Sequence, residues 1–206
     1  MKIISFLNPK GGSGKTTATI NVSSCLASGG KKVAVVDTDP QMSLTNWNSA
    51  GKAAFDVFTA SSEKDVYQVR KELSEYDYVI VDGAGSLSVI TSAAVMVSDL
   101  ILIPVTPSPL DFSAAGSVVT VLEAQAYNRP VEARFLITRK IEQATMLGIL
   151  KQSISQTGIK PLKTAITQRQ SYVRSVLEGG SVFDTSDKAA QGEVQVLTKE
   201  IVSLFE

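Results

Sequence analysis

The chain has 206 residues, of which 44% are hydrophobic and 19% charged, and its formal net charge is zero. This length and composition suit one globular α/β domain with a substantial core, and the balanced charge neither supports nor excludes a nucleic-acid partner. The sequence contains one cysteine, Cys25, and no histidine. These counts exclude an internal disulfide, a histidine-based zinc site and a Ser-His-Asp triad.

The sequence shows no signal for export or for membrane insertion. Met1 and Lys2 lead directly into an apolar run, which leaves no room for a signal peptide. No apolar run approaches the roughly 18 residues that a membrane span requires. We therefore expect a cytoplasmic protein.

Residues 8–17, NPKGGSGKTT, follow the apolar run 3–7 and precede a helical pattern that starts near Thr16. A strand, a glycine-rich turn and a helix in this order predict a phosphate-binding loop, because glycines let backbone N–H groups converge on phosphate oxygens. Lys15 would reach the β- and γ-phosphates, and the Thr16 hydroxyl would ligate Mg²⁺. Pro9 replaces the first glycine of the strict P-loop pattern, and Lys10 adds a second lysine. The alternative is a structural turn with solvated lysines.

After the loop, short apolar strands alternate with helical patterns. The first helix has Ala18, Val22, Cys25 and Leu26 on one face and stops at Gly29-Gly30, so we expect Cys25 in the core. Ser62 and Asp65 have capping-box spacing before another helix. The remaining predicted strands are 32–36, 55–59, 78–82, 100–103, 133–139 and 163–167, and the remaining predicted helices are 88–97, 115–126, 146–154 and 194–204; the stretch 42–62 reads as irregular apart from strand 55–59.

This alternation predicts an α/β fold, a single-domain doubly wound and mostly parallel sheet with helices on both faces. Ligands bind such sheets at the carboxyl ends of the strands. The phosphate loop, Asp37, Asp39 and Asp82 all follow predicted strands. We therefore expect them to converge on one site.

Three aspartates are candidates for metal binding and catalysis. Asp82 follows Tyr-Val-Ile-Val and stands where a Walker B aspartate holds Mg²⁺, although an aspartate there can also simply cap the next helix. Asp37 and Asp39 end a predicted strand with one residue between them, and we expect them to differ in role. One would serve the metal, and the other would orient or deprotonate the water that attacks the γ-phosphate.

Together, the Lys10–Thr17 loop, the Asp37-Thr-Asp39-Pro-Gln41 motif and the Asp82 strand resemble the deviant Walker-type ATPases of the ParA/MinD family. The resemblance covers essentially the full length and is strongest to the short plasmid-partition ATPases of the ParF type. It implies an ATPase that drives plasmid DNA segregation with ATP/ADP and Mg²⁺. It also implies a single ATPase domain over residues 1–206, without the N-terminal helix-turn-helix domain of longer members.

The resemblance implies a role for each motif residue. Lys10 would reach across an ATP-sandwich homodimer to the partner's phosphates, whereas Lys15 would hold the phosphates of its own protomer. Asp39 would serve the catalytic water. The implied nucleotide-binding residues are Lys10, Gly11, Gly12, Ser13, Gly14, Lys15, Thr16 and Thr17, with Thr17 at the α-phosphate, and the implied metal residues are Thr16, Asp37 and Asp82.

The family places adenine among loops that follow late strands, which suggests Thr138, Arg139 and residues 166–170. One departure concerns Asp82, which many relatives follow with prolines, whereas here Gly83-Ala84-Gly85 follows. This departure leaves the metal role in place but makes the path of the next loop uncertain.

Residues 129–174 carry nine Lys/Arg and two acids, Glu132 and Glu142, so this segment is +7 and the remainder −7. The excess fits the nonspecific, ATP-dependent DNA binding that the resemblance implies. The alternative is a scattered set of solvated charges. The candidate DNA-binding residues are Lys140, Lys151, Lys160, Lys163 and Arg174.

The resemblance also implies higher-order assembly, nucleoid association and a centromere-binding partner that stimulates slow hydrolysis.

Two other functions compete with the plasmid-partition reading. A MinD-like membrane-surface regulator would need a basic terminal helix, but residues 175–206 contain six acids and two lysines, so we expect no membrane binding. A metabolic ATP-dependent ligase would need a substrate pocket.

Residues 104–109, PVTPSP, favour a rigid turn after a strand over a partner-binding surface.

Overall fold

The computed structural model describes residues 1–141 and 144–206, without the side chains of residues 109–111, 144 and 145. Its strands form one six-stranded sheet in the order β3-β2-β4-β1-β5-β6. Each pairing between neighbours in that order is parallel. The strands are β1 (Lys2–Phe6), β2 (Val33–Asp37), β3 (Asp56–Thr59), β4 (Tyr78–Asp82), β5 (Leu100–Val105) and β6 (Glu132–Ile137).

Helices cover both faces of the sheet, which confirms the predicted doubly wound fold. One core cluster joins the sheet to α3 (Glu63–Glu72), α4 (Val89–Val97), α5 (Pro109–Ala126) and α6 (Ala144–Ser155). The other joins it to α1 (Lys15–Ser28), α2 (Ser43–Asn48), α7 (Gln170–Leu177) and α8 (Lys188–Ser203), with a 3₁₀ turn at Val182–Asp184. Successive strand residues alternate between the two clusters, which explains why the strands are continuously apolar.

Several predicted helix boundaries are confirmed. The Ser62 hydroxyl accepts a hydrogen bond from the N–H of Asp65, whose carboxylate accepts one from the N–H of Ser62, so the capping box starts α3. Gly29 caps α1, and Gly30 follows with a φ of 79°. Cys25 is half-buried and packs against the core cluster of its face, as expected.

The secondary structure differs from the prediction in four places. Residues 43–48 form α2, and α7 was not predicted. Residues 163–167 form no regular strand; an isolated bridge joins Thr167 to Lys140, and another joins Pro161 to Phe135. Strand β5 runs through Pro104, because β1 pairs with β5 only as far as Leu102 and leaves Pro104 with a strand neighbour on one side.

Candidate functional site

The phosphate loop connects β1 to α1 at the carboxyl end of the sheet. Gly12 and Gly14 have φ angles of 78° and 92°, a region that residues with a side chain rarely adopt. Gly14 is the N-cap residue of α1, so the loop delivers the free N–H groups of this helix to the site. This arrangement can bind a phosphate, as the sequence predicts.

Asn8, which sequence reasoning overlooked, fixes the start of the loop. It is buried, its Nδ2 donates to the carbonyl oxygen of Pro104 over 2.7 Å, and its Oδ1 accepts from the N–H of Lys10 over 2.8 Å. The side chain therefore ties the loop to the end of β5. An asparagine that bonds a backbone N–H two residues later is a common turn device, which is the signal that could have identified it.

The two loop lysines have different environments. Lys15 is 6% exposed, and its Nζ lies 3.3 Å from the carbonyl oxygen of Lys10. Burial lowers the pKa of Lys15, and the charges of Asp82 and Asp39 partly oppose that change. Lys10 is exposed. One lysine thus points into the site of its own chain, while the other is free to contact something outside it.

Asp82 lies at the end of β4 and is fully buried. Its two carboxylate oxygens accept hydrogen bonds from the hydroxyls of Thr16, over 2.7 Å, and Thr19, over 3.0 Å. Burial raises the pKa of Asp82 to about 7, with Thr16 and Thr19 opposing the increase. A buried carboxylate beside a loop threonine fits a cation site, so Thr16 and Asp82 are suited to hold Mg²⁺. Thr19, three residues after Thr16 on the same helix face, was missed.

Asp37 and Asp39 have different surroundings, because Asp37 ends β2 and Asp39 lies in the loop that follows it. Asp37 is buried; one oxygen accepts from the N–H of Asp39, and the other accepts from both the N–H and the hydroxyl of Thr45. Asp37 therefore anchors the start of α2, a structural role that the predicted metal-shell assignment did not include. Asp39 is half-buried and close enough to Lys15 to affect its pKa.

Gly83 accounts for the departure from proline after Asp82. A Cβ at this position would lie 2.7 Å from both the carbonyl oxygen of Phe6 and the Cδ2 of Leu7. The N–H of Gly83 donates to that same carbonyl oxygen over 3.0 Å. The chain after β4 therefore passes directly against the start of the phosphate loop, and only glycine fits there.

A cavity of about 230 Å³ opens beside the loop, lined by Gly14, Thr17, Thr138, Arg139, Ile166, Thr167, Gln168, Arg169, Tyr172 and Val173. We call it the Thr17 cavity. It brings together the predicted adenine residues Thr138, Arg139 and most of 166–170. Its position next to the N-terminus of α1 and its mixed polar and apolar lining suit a nucleobase.

Thr138 and Arg139 differ within this cavity. Thr138 is buried, and its hydroxyl donates to the carbonyl oxygen of Ser13 over 2.7 Å, so this residue both lines the cavity and supports the loop. Arg139 is exposed, and its Nη2 lies 3.8 Å from the place that a Cβ of Gly12 would occupy. Its φ of 48° is unusual for a residue with a side chain. Arg139 therefore lies over the phosphate loop.

Four of the five predicted DNA-binding residues line one groove of about 630 Å³: Lys140, Lys151, Lys160 and Lys163. We call it the lysine groove. None of the described residues that line it is acidic. Arg174 lies apart, on α7, and Glu142 falls outside the described residues. The positive charge of this part of the chain is therefore concentrated, which the sequence alone did not establish.

In ranges 1–141 and 144–206, no group of three or more His, Cys, Asp and Glu side chains is placed to hold a metal. A magnesium ion held by one hydroxyl, one carboxylate and nucleotide phosphates needs no such group. Among the helices described, none has the length and apolar character to cross a membrane.

Comparison with known proteins agrees with this geometry. Residues 1–173 match the family model described as VirC1 protein. The chain is 31% identical over 203 residues to the maintenance of carboxysome distribution protein A of Halothiobacillus neapolitanus, covering 95% of this chain and 94% of that protein. It is 29% identical over 203 residues to protein ParA of Rhizobium radiobacter, covering 94% and 90%.

A solved structure shares the fold over nearly the whole length. The putative plasmid partition protein of Borrelia burgdorferi bound to AMPPNP superposes with a TM-score of 0.79 and 19% identity, covering 98% of this chain and 99% of that one. Family model, full-length relatives and fold lead to one conclusion. The chain belongs to the VirC1 family, within the ParA/MinD deviant Walker ATPases.

Proposed function

We propose that this protein is a Mg²⁺-dependent ATP hydrolase with slow basal turnover, in which bound ATP makes two copies dimerise. The observation that carries the proposal is the contrast between buried Lys15 and exposed Lys10 within one phosphate loop. A buried cation can hold the phosphates of its own chain. An exposed cation five residues earlier, held by the Asn8 turn, is suited to the phosphates of a second copy.

Each part of the site would have a separate task. The loop from Gly11 to Thr17 would bind the phosphates, with Thr17 at the α-phosphate, and Asp39 would orient the attacking water. Arg139 and the Thr17 cavity would receive adenine. Thr16 and Asp82 would hold Mg²⁺, which when bound neutralises charge that develops on the phosphates. No arginine from the described residues is assigned to the γ-phosphate, so stimulation by a partner protein fits the proposal.

The cargo that we propose is plasmid DNA. In this view the dimer binds nonspecific DNA on the nucleoid through the lysine groove, forms higher assemblies in the cytoplasm, and releases DNA when a centromere-binding partner stimulates hydrolysis. Four lysines and no acidic residue line this groove among the described residues, which supports DNA binding, because clustered cations release counterions from phosphates. A relative from Thermus thermophilus, 24% identical over 254 residues, is named a probable plasmid-partitioning protein ParA, which supports the cargo.

A second cargo is favoured by one observation. The relative from Halothiobacillus neapolitanus, which is 31% identical, is named for maintaining carboxysome distribution. The same ATP switch would serve a protein-bound organelle as well as a plasmid. A plasmid-retention assay with the Lys15→Ala variant separates the two, because only a partition protein loses its plasmid when nucleotide binding fails.

The test of the switch is analytical ultracentrifugation with ADP, with a non-hydrolysable ATP analogue and with ATP. We expect monomers with ADP and dimers or larger species with the analogue. Asp39→Ala should give dimers that persist with ATP itself, because the attacking water loses its orienting carboxylate. Identical sedimentation in ADP and in the analogue would contradict the proposal.

A further inference from the structure

The segment 163–169 supplies most of one wall of the Thr17 cavity but has no regular secondary structure. On one side it bonds the end of β6 and the residues after it: the N–H of Ile166 donates to the carbonyl oxygen of Ile137, and the N–H of Lys140 donates to that of Ile166. We call residues 163–169 the clamp segment. Its other edge would expose unpaired N–H groups to water unless something else accepted them.

Two glutamates of α8 accept these N–H groups. Glu200 accepts from the N–H of Lys163 over 2.6 Å and from that of Thr164 over 2.9 Å. Glu193 accepts from the N–H of Thr167 over 3.0 Å and from its hydroxyl over 2.5 Å. The clamp segment is therefore bonded along both edges, although it forms no regular strand.

The spacing of the two glutamates matches the segment. Glu193 and Glu200 are seven positions apart in α8, about 10 Å along the axis, so both lie on one face. The extended chain from Thr164 to Thr167 covers a similar distance of about 10 Å. Helix α8 therefore runs antiparallel to the clamp segment, and the spacing of its two glutamates matches the spacing of the N–H groups that they accept.

Glu193 differs from Glu200 in what it holds. Its Oε2 also accepts from the hydroxyl of Tyr172 over 2.8 Å, and Tyr172 is buried and lines the Thr17 cavity. Burial and the bond to Glu193 raise the pKa of Tyr172 above its usual range, so the hydroxyl remains a donor. Glu193 thus fixes two cavity residues, Thr167 and Tyr172. Glu200 holds Lys163 and Thr164, neither of which lines that cavity.

From this geometry we propose that Glu193 is the residue that positions the base-binding wall, and that it sets the affinity for the nucleobase without touching the nucleotide. The proposal rests on the proposed function, because it takes the Thr17 cavity as the adenine site. Without Glu193, both donors on Thr167 lose their acceptor and the Tyr172 hydroxyl keeps only the carbonyl oxygen of Ala190, at 3.4 Å, so the wall from Ile166 to Arg169 is free to shift. A shift of about 1 Å in a binding wall is enough to weaken recognition strongly.

The test compares Glu193→Gln with Glu200→Gln, a matched pair that removes one carboxylate from the same helix face. Glutamine keeps the shape but has a single acceptor oxygen, so at least one donor at Glu193 remains unpaired. Calorimetry should measure the Kd of the full-length protein for Mg·ATP and for Mg·triphosphate, which has no base. Amide hydrogen exchange at Thr167 without nucleotide gives an independent readout.

We expect Glu193→Gln to weaken ATP binding about tenfold, the size of a lost charge-assisted hydrogen bond, while triphosphate binding changes less than twofold. Exchange at Thr167 should accelerate. Glu200→Gln should leave the ratio of the two Kd values unchanged. Equal weakening of both ligands, or unchanged ATP binding, overturns the role of Glu193. Wild-type protein that binds neither ligand overturns the proposed function itself, and the inference with it.

If Glu193→Gln does not fold, Tyr172→Phe replaces it. This variant removes the hydroxyl donor but keeps the ring, and thereby loosens one of the two cavity residues that Glu193 holds. The same selective loss of ATP over triphosphate is expected, with a smaller change of about threefold. Equal effects on both ligands overturn the inference here as well.

Discussion

The phosphate loop and the Thr17 cavity are neighbours, but the chain builds them in different ways. The loop is continuous in sequence, and its shape comes from residues within or next to it, such as Asn8, Gly12 and Gly14. The opposite wall of the cavity belongs to residues 166–173, which lie about 150 positions later and depend on Glu193 of α8. The phosphate end is a local motif, whereas the base end is assembled by tertiary contacts.

The triphosphate and the base of one nucleotide are therefore recognised by parts of the protein that form in different ways. A local loop can bind any triphosphate, since its N–H groups and Lys15 recognise only charge and shape. Selection of the base depends on a wall that must be held in place from elsewhere. Variants at the phosphate end should therefore weaken binding of ATP and of triphosphate alike, whereas variants at the base end should weaken binding of ATP only.

The largest effect is expected from Lys15→Ala, which breaks the phosphate end. Loss of the buried cation should weaken ATP and triphosphate alike by about 100-fold or more and abolish turnover, because charge-assisted hydrogen bonds to phosphate are lost. Calorimetry with both ligands and a phosphate-release assay check this. Normal turnover would remove the phosphate loop from the mechanism.

A smaller but more specific effect is expected from Lys10→Ala. Nucleotide binding by the monomer should stay within about threefold of wild type, since Lys10 is exposed and only its backbone N–H and carbonyl take part in the described loop bonds. Dimers with a non-hydrolysable ATP analogue should disappear in analytical ultracentrifugation. The control is Lys31→Ala, another exposed lysine outside the loop. Dimerisation equal to that of Lys31→Ala would show that Lys10 does not contact a second copy.

The sequence was sufficient for the parts of the structure that local rules determine. Apolar runs identified every strand of the sheet, and the capping box and the Gly29-Gly30 stop marked helix ends. The phosphate loop and Asp82 were predicted to converge because strand ends meet at one sheet edge, and the structure brings them together through the Thr16–Asp82 hydrogen bond.

What the sequence missed depends on distant partners. Residues 163–167 were predicted as a strand, but glutamates of α8 take the place of a neighbouring strand on one edge. The sequence near Thr138 does not show that Ser13, 125 residues earlier, accepts its hydroxyl. The bonds of Asp37 to Thr45 were not foreseen because they require α2, whose short polar sequence carries no clear periodicity.

A third prediction concerns the lysine groove, which lies outside both ends of the nucleotide site. Lys151→Glu with Lys160→Glu should weaken binding of nonspecific duplex DNA about tenfold or more and reduce its salt dependence by about two phosphate contacts. Basal turnover should be unchanged. Electrophoretic mobility shift at several salt concentrations, with the ATP analogue present, measures both quantities.

The control for this variant has the same change in charge elsewhere. Lys31→Glu with Lys199→Glu alters two lysines that line a different cavity, between α1 and α8 on the other face of the sheet. It should affect DNA binding by less than about threefold, through long-range charge alone. Equal losses in the two double variants would mean that net charge, and not the lysine groove, determines DNA binding.

The smallest expected effect comes from Thr138→Val, which tests how the two ends of the site are joined. Thr138 lines the Thr17 cavity, yet its hydroxyl donates to Ser13 in the loop over 2.7 Å. Valine has nearly the same shape, so the change removes one buried donor and leaves the Ser13 carbonyl oxygen unpaired, at a cost of about 1–2 kcal/mol in unfolding free energy. For a chain of this size that lowers Tm by about 2–8 °C.

Thermal unfolding of Thr138→Val should be compared with that of Thr120→Val, in which an exposed helical threonine loses a bond to its own helix. The control should stay within about 0.5 kcal/mol of wild type. Because Ser13 belongs to the loop, Thr138→Val should weaken ATP and triphosphate to the same degree, unlike Glu193→Gln, which should act on ATP alone. A selective loss of ATP binding in Thr138→Val would instead show that Thr138 acts in base recognition and not through the phosphate loop.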